Sequence, residues 1–92
     1  MNLDFTYDLE TYWNMFSACI VHNETKTRWI FEVSDRRNQA AQFIEFVFWL
    51  REIGARMVGF NNEGFDWPVV DHCVKIGVNF TARDAYDKAQ AI

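Results

Sequence analysis

Apolar and polar residues alternate from Leu3 to Leu9. Leu3, Phe5, Tyr7 and Leu9 share one parity, and Asp4, Thr6, Asp8 and Glu10 share the other. A period of two is that of a strand with one buried face. Phe16 to His22 predicts a second strand. Arg28 to Val33, rich in Trp, Ile, Phe and Val, predicts a third, after the polar turn Asn23-Glu24-Thr25-Lys26. Short connections favour an antiparallel meander. Ser34-Asp35 offers a cap for a helix from about Asn38 to Ile53, ended by Gly54. Its middle, Phe43 to Leu50, is apolar at seven of eight positions. That exceeds one core-facing stripe, so a second side should meet another helix, domain or subunit. Met57 to Phe60 predicts a short fourth strand, parallel to its partner because it follows a helical crossover; by analogy that partner is the first strand. Phe65 to Ile76 predicts a second helix with Pro68 in its first turn and Phe65, Val69, Cys73 and Ile76 as its inner row. Gly77 ends it, and a polar hinge at Asn79 to Thr81 leads into a third helical piece from about Arg83. The β-β-β-α-β-α order describes an α/β domain with a mixed sheet.

Composition narrows the class. The 92 residues are half hydrophobic and 17% aromatic, enough for one small packed domain over 1–92. No apolar run approaches the roughly 20 residues that span a bilayer, and no basic flank precedes an apolar leader. The expectation is therefore a cytoplasmic protein with no membrane partner, its Cys19 and Cys73 reduced and buried. The net charge of −4 argues against tight autonomous binding to nucleic acid. It argues little against metal chemistry, because bound cations invert the local charge.

Three carboxylates are the candidate chemistry. Asp8 and Glu10 stand two apart on the first strand and so share a face. Two neighbouring carboxylates repel unless a cation lies between them, although an exposed edge strand would remove that objection. Asp66 follows Gly59-Phe60-Asn61-Asn62-Glu63-Gly64-Phe65, at the expected start of the second helix. The helix dipole alone favours an Asp there, and Asn62 could be a turn or capping residue. Taken together, the loop gathers backbone donors, an amide and a carboxylate at the carboxyl end of a strand, where open α/β sheets bind ligands. If the first and fourth strands are parallel neighbours, all three carboxylates converge there. Oxygen donors of this kind hold hard divalent cations.

Tyr7-Asp8-Leu9-Glu10-Thr11 resembles the Asp-x-Glu-Thr motif of the DnaQ-like 3′–5′ exonucleases. Asn62-Glu63-Gly64-Phe65-Asp66 resembles their second motif in the form common in family B DNA polymerases. The resemblance implies a truncated ribonuclease H-like fold, the N-terminal portion of the proofreading domain of a phage or other viral polymerase. It implies a two-ion Mg²⁺ or Mn²⁺ site at Asp8, Glu10 and Asp66 that hydrolyses the last phosphodiester of a single-stranded DNA 3′ end, RNA being an open alternative. By the same resemblance Thr11 and Asn62 would contact the terminal nucleotide and Phe65 would pack or stack near the strand. Leu9 would contact the strand, and Tyr12 and Trp13, on sequence alone aromatics in a loop, would line its groove. The implied partners are the remainder of a polymerase, or a second copy covering the apolar first helix.

The family's third motif, a Tyr or His and a last Asp, has no convincing counterpart. Asp84, Tyr86 and Asp87 come too soon after the second helix. The isolated chain is accordingly expected to bind metal weakly and to show little or no turnover. The competing reading is a non-catalytic module that binds nucleic acid or protein through a degenerate form of the same fold. Other candidates are weaker. His22 and His72 stand alone, Asp71-His72-Cys73 cannot converge on one ion from consecutive helical positions, and Arg36-Arg37 reads as a solvated cap region.

Overall fold

The computed structural model describes residues 3–59 and 66–91. Strands β1 (Asp4–Tyr12), β2 (Met15–His22), β3 (Arg28–Ser34) and β4 (Arg56–Gly59) form one open sheet in the order β3-β2-β1-β4. Helices α1 (Ala40–Glu52), α2 (Asp66–Ile76) and α3 (Ala82–Ala91) complete the described elements. β1, β2 and β3 pair antiparallel, whereas β4 lies parallel to β1, with Asp4 opposite Arg56 and Tyr7 opposite Gly59. This is an α/β fold with a mixed sheet, compatible with a truncated ribonuclease H-like arrangement. Among the described residues no helix is long and apolar enough to cross a membrane.

One parity of each strand is buried. Phe5, Tyr7 and Leu9 of β1, Phe16, Ala18 and Ile20 of β2, and Phe31 and Val33 of β3 form a single core with the helices. α1 contributes Phe43, Ile44, Val47 and Leu50, and α2 contributes Val69, Val70 and Cys73. The described helices thus cover one face of the sheet and leave the other open. Burial pushes the Cys73 thiol up to about 12, which makes it an unreactive core side chain. An Arg56 guanidinium fork grips the Asp4 carboxylate at 2.9 and 2.7 Å, fastening β4 to β1 at the start of their shared register.

Several expectations are corrected. β1 runs on to Tyr12, and only the turn Trp13-Asn14 separates it from β2. Thr11 and Tyr12 pair with Phe16 and Met15, so their backbone is in the ladder while their own side chains lack the buried alternation. α1 begins at Ala40, not Asn38, and Ser34-Asp35 does not cap it. Residues 34–39 fold back along β3 instead. The Gln39 N–H donates to the Glu32 carbonyl at 2.9 Å, and the Gln39 side-chain oxygen accepts from the Glu32 N–H at 3.0 Å. These bonds occupy backbone groups that a sheet edge would otherwise present to another chain. The Ala40 N–H finds the Asn38 side-chain oxygen at 3.1 Å.

The polar hinge before α3 hides an anchor: Phe80 is fully buried against Phe16 and Phe43. Ile76, expected in the inner row of α2, is exposed at the last residue of that helix, just before Gly77 turns the chain at φ +99°. The Phe65 of that row lies outside the described residues. Cys19 is only half buried, because it belongs to the open parity of β2. The second apolar side of α1 is met partly within the chain. Phe46 and Trp49 join Trp29 of β3 in an aromatic cluster with ring centroids 5.0 to 6.2 Å apart, while Phe48 remains exposed.

Candidate functional site

Asp8 and Glu10 project from β1 on the open face, exposed to solvent, while Tyr7 and Leu9 between and beside them enter the core. Two strand residues apart corresponds to roughly 6.5–7 Å along the backbone. Tyr12 is half exposed on the same parity, and Thr11 is half buried on the other. Leu9 is buried, so its side chain is not offered to a bound strand.

β4 ends at Gly59 beside Tyr7, one residue short of Asp8. The chain re-enters the described structure at Asp66, the first residue of α2. The body of α2 packs on the face opposite Asp8 and Glu10, through Val69, Val70 and Cys73. Asn62 and Phe65 lie outside the described residues, as does the Asp66 side chain. Among the described residues no three His, Cys, Asp or Glu converge as metal ligands. The donor chemistry of the pair on β1 nevertheless suits Mg²⁺ or Mn²⁺: two solvent-facing carboxylates on one strand.

The register extends the open face sideways. Glu10 stands opposite Ser17, and Ser17 opposite Glu32 of β3; Asp8 stands opposite Cys19. Glu32 is already neutralised. Arg36 donates to its two oxygens at 2.9 and 3.2 Å, and the Ser34 hydroxyl donates at 2.7 Å. These hydrogen bonds, the arginine's first, pull its carboxyl down from 4.5 to about 2. A depressed folded-state value stabilises the fold above pH 4.5 and loses that contribution as pH falls towards 2. Glu32→Gln is therefore expected to flatten the pH dependence of the urea midpoint between those limits. Equal slopes in variant and parent would mean that the Arg36 contact does not persist in solution.

The late carboxylates have structural occupations. Asp84 and Thr81 exchange hydrogen bonds at the start of α3: the Thr81 N–H and hydroxyl donate to the Asp84 carboxylate at 2.9 and 3.0 Å, and the Asp84 N–H reaches the Thr81 hydroxyl at 3.2 Å. This is a reciprocal helix cap. Asp87 holds Arg83 at 2.9 Å one turn back. The His22 ring contacts the Thr25 hydroxyl at 2.9 Å and lies against Phe5, as a strand-end histidine with a local role does. Arg36 is exposed, as expected of a solvated position, but pairs with Glu32 and does not cap α1.

On sequence alone Trp13 is an aromatic in a loop, which the resemblance would place along the substrate groove. It stands at the hairpin tip, its ring well exposed, three residues beyond Glu10. The polar Glu-Thr-Tyr-Trp-Asn string masked a two-residue hairpin; the only signal was Asn14 between two runs able to pair. No protein-family model, curated protein or solved structure matches the chain.

Proposed function

We propose that this chain supplies the metal-binding carboxylates of a two-metal 3′–5′ exonuclease acting on single-stranded DNA ends, within a cytoplasmic DNA polymerase. The supporting observation is the parallel pairing of β1 and β4, which ends at Tyr7 opposite Gly59. That register starts the segment leading to Asp66 at the end of the sheet where Asp8 and Glu10 emerge. In this reading Asp8, Glu10 and Asp66 would together hold the cations, with Asp8 central to the site. The cations, when bound, lower the pKa of a water and stabilise the departing 3′ oxygen. The chain's own part is to present oxygens from a strand whose alternate residues, Tyr7 and Leu9, are fixed in the core. Core anchoring of the intervening side chains limits how far the carboxylates can drift, which a precise metal site requires. Tyr12, on the same face, would flank the bound strand.

A second reading, a non-catalytic binding module, has one observation in its favour. Asp84 and Asp87 are engaged in the cap and the ion pair of α3, and so do not offer a fourth ligand. Mn²⁺ titration calorimetry separates the two. The parent chain is expected to bind weakly, and Asp66→Ala to bind at least tenfold more weakly still. Unchanged binding by Asp66→Ala would reject the nuclease reading. Robust release of nucleotides from 3′-labelled DNA by the isolated chain, lost in Asp8→Ala, would show that no further ligand is needed.

A further inference from the structure

Two concavities meet at the end of the sheet. The larger, about 400 Å³, lies between the Trp13-Asn14 turn and the start of α3, with Asn38, Asn79 and Arg83 on its walls. The smaller, about 310 Å³, opens beside Met15, Glu32 and Arg36. They share Asn14, Ser34 and Asp35, so the larger, a trough at the rim of the sheet, adjoins the smaller and more open one. Its far end reaches Glu32, which stands in the same cross-strand row as Ser17 and Glu10. Two strand spacings, about 10 Å, separate Glu32 from Glu10 along that row. The trough and its neighbour thus occupy the rim beside the cross-strand row that carries Glu10.

Its lining has a definite chemistry. Trp13 is 64% exposed and presents a large ring at the rim. Asn14, Asn38 and Asn79 each pair an amide donor with a carbonyl acceptor, as the edge of a nucleobase does. The Asn38 oxygen is committed to the Ala40 N–H, which directs its amide group to serve as donor. Formal charges nearly cancel: Asp35 and Glu32 stand against Arg36 and Arg83, and each arginine is already held by a carboxylate. A polyanion would gain little from such a surface by charge alone. A planar, hydrogen-bonding group would gain by stacking.

We propose that this trough is a subsite for an unpaired nucleobase of the strand whose 3′ end reaches Asp8 and Glu10, with that base stacked on Trp13. The proposal rests on the exonuclease reading for its substrate, and it adds a place that grips the strand away from the cations. Grip here comes from stacking and amide hydrogen bonds. With at most two arginines near phosphates, the slope of log affinity against log salt should be shallower than about −1.4.

The test is fluorescence anisotropy of labelled hexathymidylate titrated with the full chain in EDTA, at two salt concentrations. Trp13→Ala is expected to weaken binding about 5- to 140-fold, the range of one base-stacking contact, and Trp13→Phe to restore most of it. Trp13 is exposed, so an unchanged far-ultraviolet circular dichroism spectrum will confirm that the variants are folded. Absence of binding by the parent chain, or equal affinity in Trp13→Ala, overturns the subsite. Failure of the exonuclease reading shows elsewhere, as unchanged Mn²⁺ binding in Asp66→Ala, while the effect of Trp13 in EDTA would stand.

Discussion

Phe16→Ala is expected to destabilise the fold by about 3–5 kcal/mol, the range for emptying a fully buried phenylalanine site. Phe16 has no solvent exposure, and its ring sits edge-on to Phe43 at 5.3 Å and to Phe80 at 5.4 Å. The three rings join β2, α1 and the approach to α3, so the cavity would open where three elements meet. Phe80 precedes a capped helix and Phe43 is held by α1, which limits how far either can collapse into the space. A domain of this size has a total stability of roughly 5–14 kcal/mol, so the loss is a large share. In a thermal melt it corresponds to a fall of roughly 12–40 °C. Phe48→Ala, at a position 51% exposed on α1, should change stability by less than about 0.5 kcal/mol. Similar melting temperatures for the two variants would mean that the core is not centred on this trio.

Asp8→Asn is expected to separate metal binding from folding. Without a cation, Asp8 and Glu10 are exposed, and at roughly 6.5–7 Å their repulsion in water is about 0.6 kcal/mol. Removing one charge should leave the metal-free protein as stable as before or slightly more so. With Mn²⁺ at ten times the dissociation constant, the parent should gain about 1.4 kcal/mol by mass action, a rise of roughly 6–11 °C in melting temperature. Asp8→Asn should lose that rise, because a neutral amide oxygen is a poorer ligand for a hard cation than a carboxylate. The two signs together are diagnostic. A structural role for Asp8 would lower the metal-free melting temperature, and a merely solvated side chain would leave the Mn²⁺ response intact.

Much of the site's local arrangement was legible from the pattern alone. Alternation along β1 put Tyr7 and Leu9 inside and Asp8 and Glu10 outside, because the direction of a strand side chain is set by its own backbone. The helical spans, the parallel fourth strand and the mixed sheet also followed from period, length and connection. What escaped was settled by partners distant in sequence or by backbone bonds that leave no hydrophobic trace. Residues 34–39 looked like a helix start, yet they satisfy the edge of β3. Phe80 looked like part of a hinge, yet Phe16 and Phe43 supply its socket. The extra apolar face of α1 pointed to another helix, domain or subunit, yet Trp29 of the sheet takes up part of it.

The sequence by itself determined which residues share a face of each strand and helix, since that depends only on local geometry. Only the tertiary structure decided the register of β4 on β1, with Gly59 opposite Tyr7, and the trough that the Trp13-Asn14 turn walls at the rim of the sheet. Strand order and cavity shape are properties of the whole set of packed contacts. No short window of residues encodes them, because each contact gains its energy from a partner elsewhere in the chain.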